Sequence, residues 1–357
     1  MRGGRLITND QFLTGVVEGF YGRAWTAETR IAYADYLSLA GMNTCLYCPK
    51  EDVYLRQHWA SVWPDQQWRD LQSVAAAYRK KSVDWGVGLS PMELYRSYGV
   101  SEREQLRVKV DRLGELEAPL LAVLFDDMPG DLASLASRQA EIVADVCLWS
   151  PGTRIIICPT YYSFDPVLQS YFGKMPANYW SDLGAALPAD VDVFWTGNEV
   201  CSTAICEQDI GRITDQLGRR VMLWDNYPVN DGAQRCDYLY TDALAQRAPG
   251  LRGSLAGHLC NPMNQGLLSL PALNGLADLY GLAGLSENAL SDILGAQVWK
   301  KLSRDKSLFQ TQGRVGLEES TCRDLADEYA ALPGQAALEI AGWLRGEYVF
   351  DPACLTG

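Results

Sequence analysis

Two adjacent carboxylates, Asp126 and Asp127, are the sharpest chemical feature of the sequence, because they follow directly on an apolar run at 120–125. Two carboxylates held close together do not ionise independently, and their repulsion divides them into a charged group and an acid. Glycoside hydrolysis uses that division. Asp-Asp before Met128-Pro129-Gly130 also reads as a solvated acidic turn, and residue types alone leave both readings open. Other polar and aromatic groups follow apolar runs in the same way: Gly19 and Tyr21, Lys50, Tyr162, Trp195, Trp224 with Asn226, and Asn261. Aromatic faces stack on pyranose rings, and Asp and Asn hold hydroxyls. A phosphate site would call for more Arg, Lys and Gly. Each has a plainer alternative: Lys50 paired with Glu51 or Asp52, Trp195 and Trp224 as core, Asn226 and Asn261 as turn formers, Asp231 as part of an Asn-Asp-Gly turn.

The runs that would carry these residues number eight, at 13–18, 44–47, 83–89, 120–125, 154–158, 191–195, 220–224 and 254–260. Most are apolar on both alternating faces, as parallel strands buried on both sides require. They begin roughly 30–40 residues apart, the span of one strand–helix unit. Helical patterns lie between them. Thr26 is placed to cap 27–40 before Gly41, and 65–81 puts Trp68, Leu71, Val74, Ala75 and Tyr78 on one stripe. Ser101-x-x-Glu104 reads as a capping box for 101–116, and 132–149, 203–217 and 267–280 complete the set. The stretch between the fifth and sixth runs carries Pro166, Pro176 and Pro188 and leaves its helix unplaced. The expected fold is an α/β (β/α)8 TIM barrel over 13–285, with active groups at the C-terminal strand ends. An open doubly wound sheet is disfavoured because Glu18-Gly19-Phe20-Tyr21-Gly22 lacks the dinucleotide-loop order. A small helical region is expected over 286–357, with helices at 287–301 and 317–343.

Composition bounds the partners. A net charge of -13 disfavours nucleic acid, anionic lipid and polyanionic polymers. No run is long and apolar enough to span a membrane, and residues 1–10 are polar with no apolar core of a secretory signal. The 10 cysteines, several in strand-like runs, read as reduced thiols of a cytoplasmic protein. Cys45 and Cys48 lack a second pair, and neither His58 nor His258 sits in a run of ligand types, so no metal and no cofactor are expected.

Seven segments, in order, carry a family resemblance: Gly15–Trp25, Cys48-Pro49-Lys50-Glu51-Asp52, Phe125-Asp126-Asp127, Cys158-Pro159-Thr160-Tyr161-Tyr162, Phe194-Trp195-Thr196-Gly197, Trp224-Asp225-Asn226-Tyr227-Pro228-Val229-Asn230-Asp231 and Asn261-Pro262-Met263-Asn264. Together they resemble glycoside hydrolase family 84. The resemblance implies a (β/α)8 barrel and a retaining, O-GlcNAcase-like β-N-acetylglucosaminidase, acting without cofactor on terminal N-acetylglucosamine of a glycoprotein or glycoside. In it the substrate's own acetamide attacks the anomeric carbon, giving an oxazoline. Asp126 would orient the acetamide and Asp127 would be general acid and base. Tyr162 would meet the acetamide oxygen, Asn226 would help position the group, and Trp224 would wall its methyl pocket. Gly19, Lys50, Asp231 and Asn261 would contact sugar hydroxyls. Ala24, Cys48, Tyr161 and Asn198 depart from the family pattern without removing any of these side chains. The alternatives are a hyaluronidase-like polysaccharide hydrolase and a catalytically inactive carbohydrate-binding barrel.

Overall fold

A computed structural model describes residues 10–356. The expectation about a secretory signal falls at residues 1–9 outside the described part. Eight parallel strands close into a barrel in sequence order: β1 (Leu13–Glu18), β2 (Thr44–Tyr47), β3 (Asp84–Leu89), β4 (Leu120–Leu124), β5 (Arg154–Cys158), β6 (Asp192–Trp195), β7 (Val221–Asp225) and β8 (Leu255–Cys260). Closure pairs Leu13 with Gly257 and Val16 with Cys260. Nearly every strand residue is buried, since one face fills the barrel and the other packs on helices.

The outer ring is α1 (Ala27–Ala40), α2 (Asp65–Lys80), α3 (Val100–Gly114), α4 (Leu135–Trp149), α5 (Val167–Phe172), α6 (Tyr179–Ala186), α7 (Glu207–Leu217), the short α8 (Leu251–Ser254) and α9 (Leu270–Leu279). Thr26 caps α1 by accepting from the Thr29 N–H, and Gly41 ends it at φ 77, a left-handed position that suits glycine. The α2 stripe is buried as its periodicity predicts. The capping box expected at Ser101 is not formed. Instead α3 starts one residue earlier, and the Gly99 N–H donates to Glu102 at 3.2 Å. The proline-rich stretch after β5 holds two short helices, α5 and α6.

Beyond the barrel, the two long helices expected each divide in two. Gly295, at φ 88, separates α10 (Glu287–Leu294) from α11 (Ala296–Thr311). Pro333-Gly334, with Gly334 at φ 100, separates α12 (Glu319–Ala330) from α13 (Gln335–Leu344). A run of apolar residues at helical spacing does not reveal a break that one left-handed glycine imposes. Leu294, Phe309, Tyr329 and Trp343 belong to the same contiguous core as the barrel. No helix among the described residues is long and apolar enough to cross a membrane.

Candidate active site

The C-terminal strand ends surround one cavity with about 470 Å³ of empty space, open solvent at its mouth included. It gathers the residues singled out from the sequence, Trp195 excepted: Gly19 and Tyr21 after β1, Lys50 after β2, Asp126 and Asp127 after β4, Tyr162 after β5, Trp224 and Asn226 at β7, Asp231 in the following loop, and Asn261 after β8.

Successive residues of a strand point to opposite faces, so two adjacent aspartates cannot both enter the cavity from regular β structure. The chain leaves β4 at Leu124, and Asp127 adopts φ 56, a left-handed conformation that Asp tolerates. That turn brings both carboxylates to the lining. Asp126 is buried and its Oδ2 is ion-paired with the Lys50 ammonium. Its other oxygen, Oδ1, is buried with no hydrogen-bond partner among the described residues. Lys50 thus turns to Asp126 rather than to its neighbours. Asp52 is occupied by Tyr47 and by the Trp63 indole N–H. Asp127 accepts from two tyrosine hydroxyls, Tyr21 on Oδ2 at 2.6 Å and Tyr162 on Oδ1 at 3.1 Å.

The opposite wall is an amide network. The Gly19 N–H donates to Asn261 Oδ1 at 3.2 Å, and Asn261 Nδ2 donates to Asn226 Oδ1 at 3.0 Å. Asn226 Oδ1 also accepts from the Trp224 indole N–H at 3.0 Å, and its Nδ2 donates to the Val200 carbonyl at 2.8 Å. The Trp224 indole lies across Gly19 so closely that a Cβ there would stand 2.1 Å from the ring. Only glycine leaves room for it. Asp231 accepts from the Tyr21 N–H at 2.7 Å, and burial pushes its carboxyl up to about 6 against that hydrogen bond, with the charge of Asp127 adding to the rise.

The sequence profile of the beta-N-acetylglucosaminidase family matches residues 14–290, most of the chain and the whole of the barrel. The chain belongs to this family. As a member of the beta-N-acetylglucosaminidase family it is 29% identical over 284 residues to the protein O-GlcNAcase of Rattus norvegicus, covering 76% of this chain. It is 29% identical over 282 residues to that of Mus musculus. The matched part spans 30% of the length of each of these relatives. Among solved structures, a point mutant of the Thermobaculum terrenum O-GlcNAc hydrolase superposes with TM-score 0.75 and 25% identity, over 95% of this chain and 82% of that one.

Within this beta-N-acetylglucosaminidase barrel several groups have places that the sequence did not assign. Tyr21, named there only as a β1-rim aromatic beside Gly19, is the hydrogen-bond partner of Asp127. Thr196, Val200, Cys201 and Val229 also line the cavity. Trp195 does not; it is fully buried among Phe164 and Trp180, as core. Glu18 faces away from the cavity, held by Arg30 with bonds of 2.6 and 2.8 Å.

Behind the site lies a buried brace that spacing in the sequence conceals. Asp225, between Trp224 and Asn226, takes two bonds of 2.7 Å from Arg247, and His258 Nε2 lies 3.0 Å away. Burial alone would push the Asp225 carboxyl up, but hydrogen bonds from Arg247 and His258 hold it down at about 2. Arg247 also donates to the carbonyls of Ser202 and Thr203, tying the Val200 loop to β7. His258, which the sequence placed in no cluster, therefore joins Asp225 and Cys260, with their ligand atoms within 4.8 Å of one another. The Arg247 guanidinium already occupies both Asp225 oxygens, so the group reads as an ion-pair brace rather than a cation site. From α13, buried Glu339 accepts from the Leu267 N–H at 3.1 Å and the Leu268 N–H at 3.3 Å, and Trp343 donates to the Cys236 carbonyl at 3.0 Å. The C-terminal helices thereby steady the loops that carry Asn261 and Asp231.

Proposed function

We propose that this chain is a retaining β-N-acetylglucosaminidase of the O-GlcNAcase kind, releasing terminal β-linked N-acetylglucosamine from glycoproteins or glycosides through an oxazoline. The observation that carries the reading is Asp126. One of its oxygens is fixed by Lys50, while the other is a buried acceptor without a partner at the cavity. An unpaired buried acceptor is costly, so the site favours a ligand that brings an N–H, which the acetamide group supplies.

The acetamide N–H meets Asp126, which steers the acetamide oxygen onto the anomeric carbon and stabilises the positive charge that develops. The new bond from that oxygen to the anomeric carbon forms as the bond to the aglycone oxygen breaks, and Asp127 gives its proton to the departing oxygen. Water then adds to the anomeric carbon, Asp127 takes its proton, and the oxazoline opens. Two inversions leave the configuration retained. Tyr162 moves from Asp127 to the acetamide oxygen. Trp224 bounds the methyl group, Asn226 holds the wall in place, and Gly19, Lys50, Asp231 and Asn261 face the hydroxyls. Ten thiols, many buried, suit a reducing compartment, and we place the enzyme in the cytoplasm. The charge of -13 weighs against a polyanionic substrate such as hyaluronan.

The test is turnover of 4-nitrophenyl β-N-acetylglucosaminide together with inhibition by a thiazoline analogue of the oxazoline. Hydrolysis and potent inhibition are expected. A folded wild-type chain that turns over no N-acetylglucosaminide is a binding barrel instead, and normal activity untouched by the thiazoline rules out attack by the acetamide.

A further inference from the structure

After α13 the chain turns back across the cavity mouth. The Tyr348 ring lies under the Arg23 guanidinium at 5.0 Å. Asp351 faces Glu51 in the loop after β2, where burial and the neighbouring carboxyl push Glu51 up. A turn follows, with the Ala353 N–H on the Asp351 carboxylate and the Cys354 N–H on the Asp351 carbonyl, both at 2.8 Å. Cys354 and Thr356 then join the cavity lining, and the Thr356 hydroxyl lies 3.4 Å from that of Tyr162. Tyr162 is the group assigned above to the acetamide oxygen.

We propose that residues 351–356 form a strap that occupies the mouth of the cavity and has to swing aside before a sugar binds, an inference that rests on the proposed function for the identity of the sugar. The strap is held lightly. Apolar packing does not anchor it: Leu355 within it, and Val349 and Phe350 just before it, are all exposed. Glu51 and Asp351 share a hydrogen bond while one of them is protonated and repel when both are ionised. The contacts of Asp351 and Thr356 are polar, the kind that opens locally at small cost. A closed strap leaves only a fraction of molecules competent to bind, and the apparent dissociation constant rises by the inverse of that fraction. The turnover of bound substrate is untouched, because the strap is open in the complex. A glycopeptide, whose aglycone extends through the mouth, is excluded more strongly than a small aryl glycoside.

The experiment compares the full chain with a deletion of residues 351–357 and with Asp351→Lys, which sets an ammonium opposite Glu51 and pins the strap shut. The deletion should lower KM for 4-nitrophenyl β-N-acetylglucosaminide about three- to tenfold, with more effect on an O-linked N-acetylglucosaminyl peptide and kcat within about twofold. Asp351→Lys should raise KM. A merely structural tail gives no such opposite pair of shifts. Unchanged or higher KM on deletion overturns the strap. If the deletion variant fails to fold, Asp351→Lys decides, and no rise in KM overturns it. Binding of N-acetylglucosamine, followed by tryptophan fluorescence, reads the strap without chemistry. No turnover by any variant, with tighter sugar binding on deletion, sinks the proposed reaction and keeps the strap; unchanged sugar affinity on deletion sinks the strap.

Discussion

A single methyl group at Gly19 tests how tightly the proposed acetamide wall is built. The added Cβ of Gly19→Ala would stand 2.1 Å from Cζ2 and 2.5 Å from Cη2 of Trp224. Carbon atoms in contact lie about 3.5–4.0 Å apart, so the indole has to move by roughly 1.5 Å. It is pinned on its other sides by the bond to Asn226 and by an edge-on Phe194 with ring centroids 5.2 Å apart. Either the ring enters the cavity or the β1 end withdraws and strains the Gly19–Asn261 bond. A shift of this size in a positioning group costs about 100-fold in kcat/KM, and overpacking costs about 1–3 kcal/mol of stability. The assay is kcat/KM on 4-nitrophenyl β-N-acetylglucosaminide, with a denaturant melt alongside. Gly19→Ala/Trp224→Phe, with a smaller ring, should regain much of the stability. If Gly19→Ala retains kcat/KM within about twofold of wild type, the indole does not wall the substrate and the reasoning is wrong.

Asp127→Asn should lower kcat by about 10²–10⁴ on glycosides with poor leaving groups and much less on 4-nitrophenyl, which needs little protonation; equal losses on both would remove Asp127 from the general-acid role. Asp231 accepts from the Tyr21 N–H, and its ionised form accepts best from sugar hydroxyls. KM should therefore rise as pH falls through about 6, and Asp231→Asn should flatten that limb while keeping the Tyr21 bond. Because folding raises this carboxyl from 3.8 to about 6, its contribution to stability is present below the unfolded value and is lost as pH rises through about 6; a melt series against pH, wild type against Asp231→Asn, reads that sign. Arg247→Met leaves the Asp225 charge buried without its main partner and should cost about 3–5 kcal/mol in denaturant unfolding; a loss under about 1 kcal/mol would mean that the pair braces nothing.

The barrel was legible because its strands are buried on both faces: the ends expected for β1, β2 and β5 coincide with the strands found, β3, β4, β6 and β8 differ by one residue at one end, and β7 lies one residue further along the chain. The helices beyond the barrel were less so, since Gly295 and Gly334 break them without interrupting the apolar spacing. The site was legible where chemistry sits at a strand end and followed motifs. It was not legible where partners lie far apart in the chain. Tyr21 meets Asp127 across 106 positions, and Thr356 meets Tyr162 across 194. Arg247 follows no strand, and nothing in its neighbours marks it as the partner of Asp225.

The aspartate pair shows where such reading stops. Strand alternation would have sent Asp126 and Asp127 to opposite faces, and a solvated turn would have sent both outward. The left-handed Asp127 decides between these, since it ends the alternation one residue after β4 has delivered Asp126 to the barrel mouth. The two carboxyls then fall into unlike surroundings, Asp126 against the Lys50 cation and Asp127 between two neutral hydroxyls. A charged orienting group and a proton carrier require that inequality. Here it comes from one backbone angle and from residues of three other strand ends.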